Sequence, residues 1–203
     1  MPAASAALLG LAFLAGAVRA GPAPAAGEVS FAARLSAAAL ERTSHTVRYK
    51  GAYVRIPYPG GDVPASTGVC TDEVIRSYRA LGIDLQREVH EDMARHFSLY
   101  PRTWKRSAPD ANIDHRRVPN LRVFLSRKGE SLPVTKEARD YLPGDLVTWS
   151  LPGSLPHIGL VVDAKGPSGR NQIVHNVGRG PKLEDVLFDW EITGHYRYAG
   201  PRR

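Results

Sequence analysis

The order of hydrophobic patterns along the chain restricts its fold more than any other feature. Apolar residues recur at helical spacing up to residue 128, and short segments rich in β-branched and aromatic residues follow from residue 143. Gly, Pro and Asp separate these later segments at intervals typical of a meandering antiparallel sheet. Helices followed by strands predict an α+β fold, with the helices packed on one side of the sheet.

Local patterns predict the individual elements. The predicted helices span 31–42, 70–81, 85–97 and 118–128. The predicted strands span 47–56, 145–150, 157–163, 172–176 and 195–198. The helix that begins at Cys70 has the clearest pattern, because Val74, Ser77 and Leu81 share its face and Gly82 provides a C-cap.

Length and composition exclude several classes of protein. With 203 residues, 23% charged and 43% apolar, the chain has the composition of a globular protein and the length of one domain. Its single cysteine excludes an internal disulfide and any zinc site built on two or four cysteines. The basic residues are scattered and form no nucleic-acid-binding motif, so no nucleic-acid partner is predicted. The net charge of +7 favours contact with anionic envelope polymers.

The N-terminus has the pattern of a secretory signal. An apolar run covers residues 6–18, and Val18 and Ala20 provide small residues for cleavage before Gly21. A buried N-terminal helix is the alternative. Export to the periplasm or cell envelope is therefore expected, with no membrane insertion after cleavage. The predicted organisation is a signal peptide over 1–20, a linker and helix over 21–46, and one compact domain over 47–203.

Cys70 is the first candidate for chemistry because it stands at the start of a predicted helix. The unpaired N–H groups and the positive end of the helix dipole are expected to lower the thiol pKa. The same N–H groups can stabilise an oxyanion. A buried cysteine acting as a small hydrophobic residue is the alternative.

A thiol nucleophile needs a base, and the base needs an orienting partner. His157 and His175 stand on two successive predicted strands. If these strands are neighbours, both imidazoles face the same side of the sheet. The N-terminus of the Cys70 helix can then pack against them.

Four segments together resemble the NlpC-type cell-wall cysteine peptidases of the papain-like superfamily. They are Gly68-Val69-Cys70-Thr71-Asp72, Pro143-Gly144-Asp145-Leu146-Val147, His157-Ile158-Gly159-Leu160-Val161 and Ile173-Val174-His175-Asn176. The resemblance implies a papain-like core, with Cys70 as the nucleophile, His157 as the base and His175 as the orienting residue. Val69 and Thr71 depart from the residues usual in that group, so the residues that line the entrance are expected to differ.

A bacterial family, domain of unknown function 1287, is more similar still. The resemblance covers about 49–198 and depends on long polar strings: Gly68–Asp72, Val89-His90-Glu91-Asp92-Met93, Asn112–Leu121 and Gly194-His195-Tyr196-Arg197. The family's name records no activity, so the resemblance identifies relatives without naming a reaction.

Five polar or aromatic residues are candidates for substrate binding. Arg116 and Arg117 can bind a substrate carboxylate through their forked donors, or they belong to a salt-bridged loop that clamps the helices to the sheet. The other three candidates are Tyr58, Asp72 and Asn176.

The resulting functional prediction is an exported, monomeric cysteine hydrolase that needs no cofactor. Its expected substrates are the amide bonds of peptidoglycan stem peptides, which the resemblance and the predicted export both favour. A non-catalytic envelope-binding module is one alternative. A metal-dependent hydrolase is the other, with ligands drawn from His90, Asp92, His96, Asp114 and His115.

Overall fold

The computed structural model describes residues 29–201, which form four α-helices and eight strands. The helices are α1 (Phe31–Arg42), α2 (Cys70–Ala80), α3 (Leu85–His96) and α4 (Val118–Lys128). The strands are β1 (Arg48–Tyr49), β2 (Thr67–Gly68), β3 (Glu130–Leu132), β4 (Leu146–Leu151), β5 (Leu155–Lys165), β6 (Asn171–His175), β7 (Lys182–Glu184) and β8 (Glu191–Arg197). The predicted signal peptide lies outside the described residues. No helix within 29–201 is long and apolar enough to cross a membrane.

Six of the strands form one antiparallel sheet in the order β3-β8-β4-β5-β6-β7. Residues of all four helices form one hydrophobic core with Leu146, Ile158 and Val174 of the sheet. A second, smaller core around Trp149 and Ile173 covers the opposite face. The predicted α+β fold, with helices on one side of an antiparallel sheet and the cysteine at a helix N-terminus, is confirmed.

Helix α1 belongs to this core. Leu35 and Ala39 are fully buried in it, and the Ser36 hydroxyl accepts a hydrogen bond from the Asp163 backbone N–H at 2.8 Å. At Gly144, which has a φ of +91°, an added Cβ would lie 2.9 Å from Ala32. Because α1 approaches this closely, the compact domain includes a helix that the predicted boundaries placed with the linker.

Helix α2 is buried on all sides rather than along one apolar face. Every residue from Cys70 to Tyr78 is buried, charged ones included. Glu73 accepts a hydrogen bond from Arg42 at 3.0 Å, and Arg76 donates to Asp62 at 3.0 Å. The sequence predicted burial of one apolar face of α2 only. The other faces are buried as well, because these ion pairs allow charged side chains to enter the core. Gly82 ends the helix with a φ of +80°, as predicted.

Two parts of the strand prediction are wrong. In the predicted strand 47–56, only Arg48 and Tyr49 pair with another strand, β2. Most of the residues up to Ile56 are exposed or half-buried. A run of Tyr and Val forms a strand only where one face can be covered, and here it crosses the surface. Strands β3 and β7 were missed because each has three residues, which is too short for a periodic pattern.

The buried ion pair of Asp72 and Arg116 joins α2 to two distant segments. Arg116 Nε and Nη2 donate to the two Asp72 carboxylate oxygens at 2.7 and 2.9 Å, and both side chains are buried. Arg116 also donates to the backbone carbonyls of Lys50 and Ala52, and Asp72 accepts from the Val69 N–H. Most hydrogen-bonding capacity of these two side chains is used within the fold, so the structure gives them a structural role, and their contact with substrate stays a prediction.

Replacing Arg116 is expected to destabilise the protein strongly. The Arg116→Leu variant leaves the Asp72 carboxylate buried without its partner, so the free energy of unfolding should fall by about 3–5 kcal/mol. Urea denaturation of the variant beside the wild type measures this change. Arg139→Leu removes an exposed pair with Glu137 and should leave the midpoint unchanged. Similar midpoints for both variants would contradict a central structural role for Arg116.

Candidate active site

Cys70 is the first residue of α2 and lies against the central strand β5. Its side chain is buried, and the backbone N–H of Ile158, the residue that follows His157, lies near the sulfur and favours its thiolate form. The N–H groups of Thr71 and of Cys70 itself act in the same direction. The thiol therefore lies beside the peptide unit that joins His157 to Ile158.

Burial raises the pKa of the Cys70 thiol to about 11, although nearby N–H groups oppose this change. The charge of Asp72 raises it further. The expectation of a lowered pKa is therefore wrong for this structure. The start of α2 is enclosed against β5, and the loss of hydration outweighs the partial positive charge of the helix end.

His157 and His175 form a hydrogen-bonded pair on neighbouring strands. His157 Nε2 and His175 Nδ1 are 2.9 Å apart, and His175 Nε2 lies 2.7 Å from a carboxylate oxygen of Glu184. Both rings pack against Trp190, so they share a face of the sheet as predicted. Gly159 provides the space, because an added Cβ there would lie 3.1 Å from the Cβ of His175. Sequence reasoning missed Glu184 because strand β7 gave no pattern.

This chain of hydrogen bonds determines which nitrogen of His157 carries the free lone pair. The Glu184 carboxylate only accepts, so His175 must donate to it from Nε2. A neutral His175 then accepts at Nδ1, which requires His157 to donate from Nε2. The lone pair of His157 is therefore at Nδ1, the nitrogen that is not part of the pair.

The thiol and the imidazole are adjacent but lie on different faces of β5. Ile158 belongs to the helix-side core together with Cys70, whereas His157 packs on Trp149 of the opposite core. Within residues 29–201, no hydrogen bond joins the thiol to an imidazole. Burial, and next the charge of His175, lowers the pKa of His157 to about 3. Both groups are therefore neutral near pH 7.

A cleft of about 350 Å³ opens beside Cys70. It is lined by Tyr49, Gly51, Val69, Cys70, Trp104, Ile113, Arg116, Arg117, Val118, Pro119 and Pro156. Burial, followed by the charges of Cys70 and Asp72, raises the pKa of Tyr49 to about 12. Its hydroxyl is therefore a hydrogen-bond donor close to the sulfur. Sequence reasoning missed Tyr49, which it assigned to the predicted strand 47–56, and Trp104, which lies in a segment without a regular pattern.

The remaining predicted substrate-binding residues have different positions. Arg117 lines the cleft, where its guanidinium stacks 3.9 Å from the centre of the Trp104 ring. Asn176 is fully buried, and its Oδ1 accepts from the Gly178 N–H. Tyr58 makes an edge contact with His90 and is not among the residues that line the cleft, so its role in substrate binding stays a prediction.

The residues suggested as metal ligands do not converge. In the part of the chain that the structure describes, no group of three or more His, Cys, Asp or Glu side chains has a metal-binding arrangement. Asp92 pairs instead with Arg127 and Lys128, and Asp114 pairs with Arg117. The carboxylates on which this alternative depends are thus neutralised by basic side chains.

The fold and the site define an α+β domain with a helix-start cysteine beside a strand-borne pair of histidines. The chain belongs to the family described as Domain of unknown function (DUF1287), which it matches over residues 36–198. This match confirms the resemblance stated from the sequence.

Three similar proteins illustrate what this chain resembles. It is 50% identical over 160 residues to the uncharacterized protein YijF of Escherichia coli (strain K12), covering 79% of this chain and 78% of YijF. The structure of NlpC1 from Trichomonas vaginalis matches 85% of this chain with a TM-score of 0.46 and 17% identity. NlpC2 from the same organism matches 84% with a TM-score of 0.44 and 19% identity. The chain spans about half the length of these two solved structures, 46% and 48%.

The raised thiol pKa predicts how Cys70 reacts with iodoacetamide. The thiolate is the reactive form, so the alkylation rate should keep rising with pH toward about 11. At pH 8 it should be on the order of one hundredth of the rate in urea, where the thiol pKa is about 8.5. Cys70 is the only cysteine, so mass spectrometry reports this site alone. A rate that levels off below pH 7 would instead indicate a thiolate paired with an imidazolium.

Proposed function

We propose that this protein is an exported cysteine hydrolase that cleaves amide bonds of peptidoglycan stem peptides. One observation carries the proposal: hydrogen bonds from Glu184 through His175 orient His157, and the peptide unit that joins His157 to Ile158 lies beside the Cys70 sulfur. Nucleophilic acyl transfer by a thiol requires an oriented base of this kind, with its imidazole brought within hydrogen-bond reach of the sulfur. The apolar run over residues 6–18 supports export to the periplasm or cell envelope.

In the proposed reaction, Cys70 and His157 exchange one proton. The step requires Nδ1 of His157 to come within hydrogen-bond reach of the sulfur. As the sulfur attacks the amide carbonyl, its proton then passes to Nδ1, so neither group needs to be charged beforehand. The imidazolium then protonates the leaving amine, and the C–N bond breaks to give a thioester. A water molecule attacks the thioester while His157 accepts its proton. The imidazolium then returns this proton to the sulfur as the C–S bond breaks, which regenerates the Cys70 thiol and releases the carboxylic acid.

The developing oxyanion needs donors close to the sulfur. The N–H groups of Cys70 and Thr71 lie there, and the Tyr49 hydroxyl lies beside them. The Val69 N–H is unsuitable because the Asp72 carboxylate accepts from it at 2.7 Å. Backbone donors at a helix start are rigid, and they therefore stabilise charge without reorganisation.

A non-catalytic envelope-binding module is the second candidate function. It is favoured by the neutral, buried thiol and by the lack of a hydrogen bond between Cys70 and either imidazole among the described residues. A binding module would use the same cleft and the same positive charge without turnover.

Digestion of purified peptidoglycan distinguishes the two functions. The protein and its Cys70→Ala variant are incubated with the polymer, and released fragments are identified by mass spectrometry. Fragments from the wild type alone support the hydrolase, and their masses identify the cleaved bond. Intact polymer with bound protein in both samples supports the binding module. Equal fragments from both would remove Cys70 from the mechanism.

Glu184 is expected to act as a positioning residue. Glu184→Ala frees His175 to rotate and removes a charge that raises its pKa, so kcat should fall about tenfold with KM unchanged. In Glu184→Gln, the amide oxygen still accepts from His175, so this variant should retain most of the activity. Glu137→Ala, on an exposed turn, is the control. A pH profile of kcat identical to that of the wild type in Glu184→Ala would contradict this role.

A further inference from the structure

The cleft beside Cys70 has more basic than acidic residues around it, although its two arginines are paired with Asp72 and Asp114. Its lining residues include two arginines and no Asp or Glu. The two segments that contribute Tyr49 and Trp104 to its wall are likewise free of acidic residues. Their basic residues are Arg48, Lys50 and Arg55 in segment 48–55, and Arg102, Lys105 and Arg106 in segment 102–106.

Arg117 is the arginine of this cleft that keeps hydrogen-bond donors available. Arg116 is occupied by Asp72 and by backbone carbonyls. Arg117 uses only Nη1, which donates to Asp114 at 2.9 Å. Within residues 29–201, its Nε and Nη2 have no acceptor, and neither atom is sealed from solvent.

Trp104 and Asp114 together restrain the guanidinium of Arg117. The Arg117 guanidinium lies over the indole at 3.9 Å, and the pair with Asp114 holds one end. The Nε–Nη2 edge that remains presents two parallel N–H donors. This is the geometry that binds a planar carboxylate through two hydrogen bonds.

We propose that Arg117, held by Trp104, forms a subsite for a free carboxylate of the substrate. The preferred substrates are then peptide amides that carry a carboxylate within about two residues of the cleaved bond, since the subsite and Cys70 share one small cleft. The basic segments around the cleft attract such acidic chains. This inference rests on the proposed function and specifies its substrate class.

A matched pair of stem-type peptides tests the subsite. The two differ only in the carboxylate next to the scissile amide, which is free in one and a primary amide in the other. The wild type should cleave the free-carboxylate peptide with a kcat/KM at least about tenfold higher, because a charge-assisted fork is lost in its partner. Arg117→Gln should lower kcat/KM about tenfold on the carboxylate peptide, mainly through KM, and less than twofold on the amide.

Two further variants sharpen the comparison. Arg117→Lys keeps the charge but loses the fork, so its preference should fall between those of the wild type and Arg117→Gln. Arg139→Gln, on a remote exposed ion pair, should behave as the wild type does. Equal cleavage of both peptides by the wild type would overturn the subsite. If Arg117→Gln lowers kcat/KM equally on both peptides, the subsite is also overturned, because that result indicates that Arg117 acts structurally through Asp114.

Binding measurements separate this inference from the proposed function. If neither peptide is cleaved, calorimetry with the Cys70→Ala variant gives the Kd of each. Tighter binding of the carboxylate peptide supports the subsite although the proposed hydrolysis fails. Equal Kd values overturn the subsite.

Discussion

The buried ion pair between Asp72 and Arg116 is the interaction on which the candidate site depends. It joins the first turn of α2 to the segment around Lys50 and Ala52, which forms one wall of the cleft. The main role of the polar string that contains Arg116 is therefore to hold α2 and the loop segments together. Its neighbour Arg117 lines the cleft and keeps hydrogen-bond donors available. One short polar string therefore contains both the residue that stabilises the site and the residue proposed to bind the substrate carboxylate.

Burial, rather than the helix dipole, determines the resting state of the thiol and the imidazole. Enclosure raises the pKa of Cys70 to about 11 and lowers that of His157 to about 3. A neutral pair has no standing charge to attract a substrate. In the proposed function, the basic residues around the cleft attract the substrate, while the hydrogen bonds from Glu184 and His175 keep the His157 ring in one orientation.

Local patterns predicted the helices well because several independent signals agreed. The bounds of α1 and α4 were predicted to the residue, and α3 ends one residue early. For α4, Pro119 near the start and Gly129 after the end coincide with the apolar spacing. The segment 47–56 failed because β propensity reports how well side chains pack on a sheet face, and no such face covers most of this segment.

Hydrophobic spacing and the residues at helix ends were sufficient to predict the α+β order, the helix that begins at Cys70, and the placement of His157 and His175 on one side of a sheet. Which polar groups face each other depends on the folded chain. Asp72 and Arg116 are 44 residues apart, and Glu184 meets His175 through a strand of three residues. Periodicity reports which residues are buried together locally. Pairing between distant groups, and the loss of hydration that shifts their pKa values, arises only when the chain has folded.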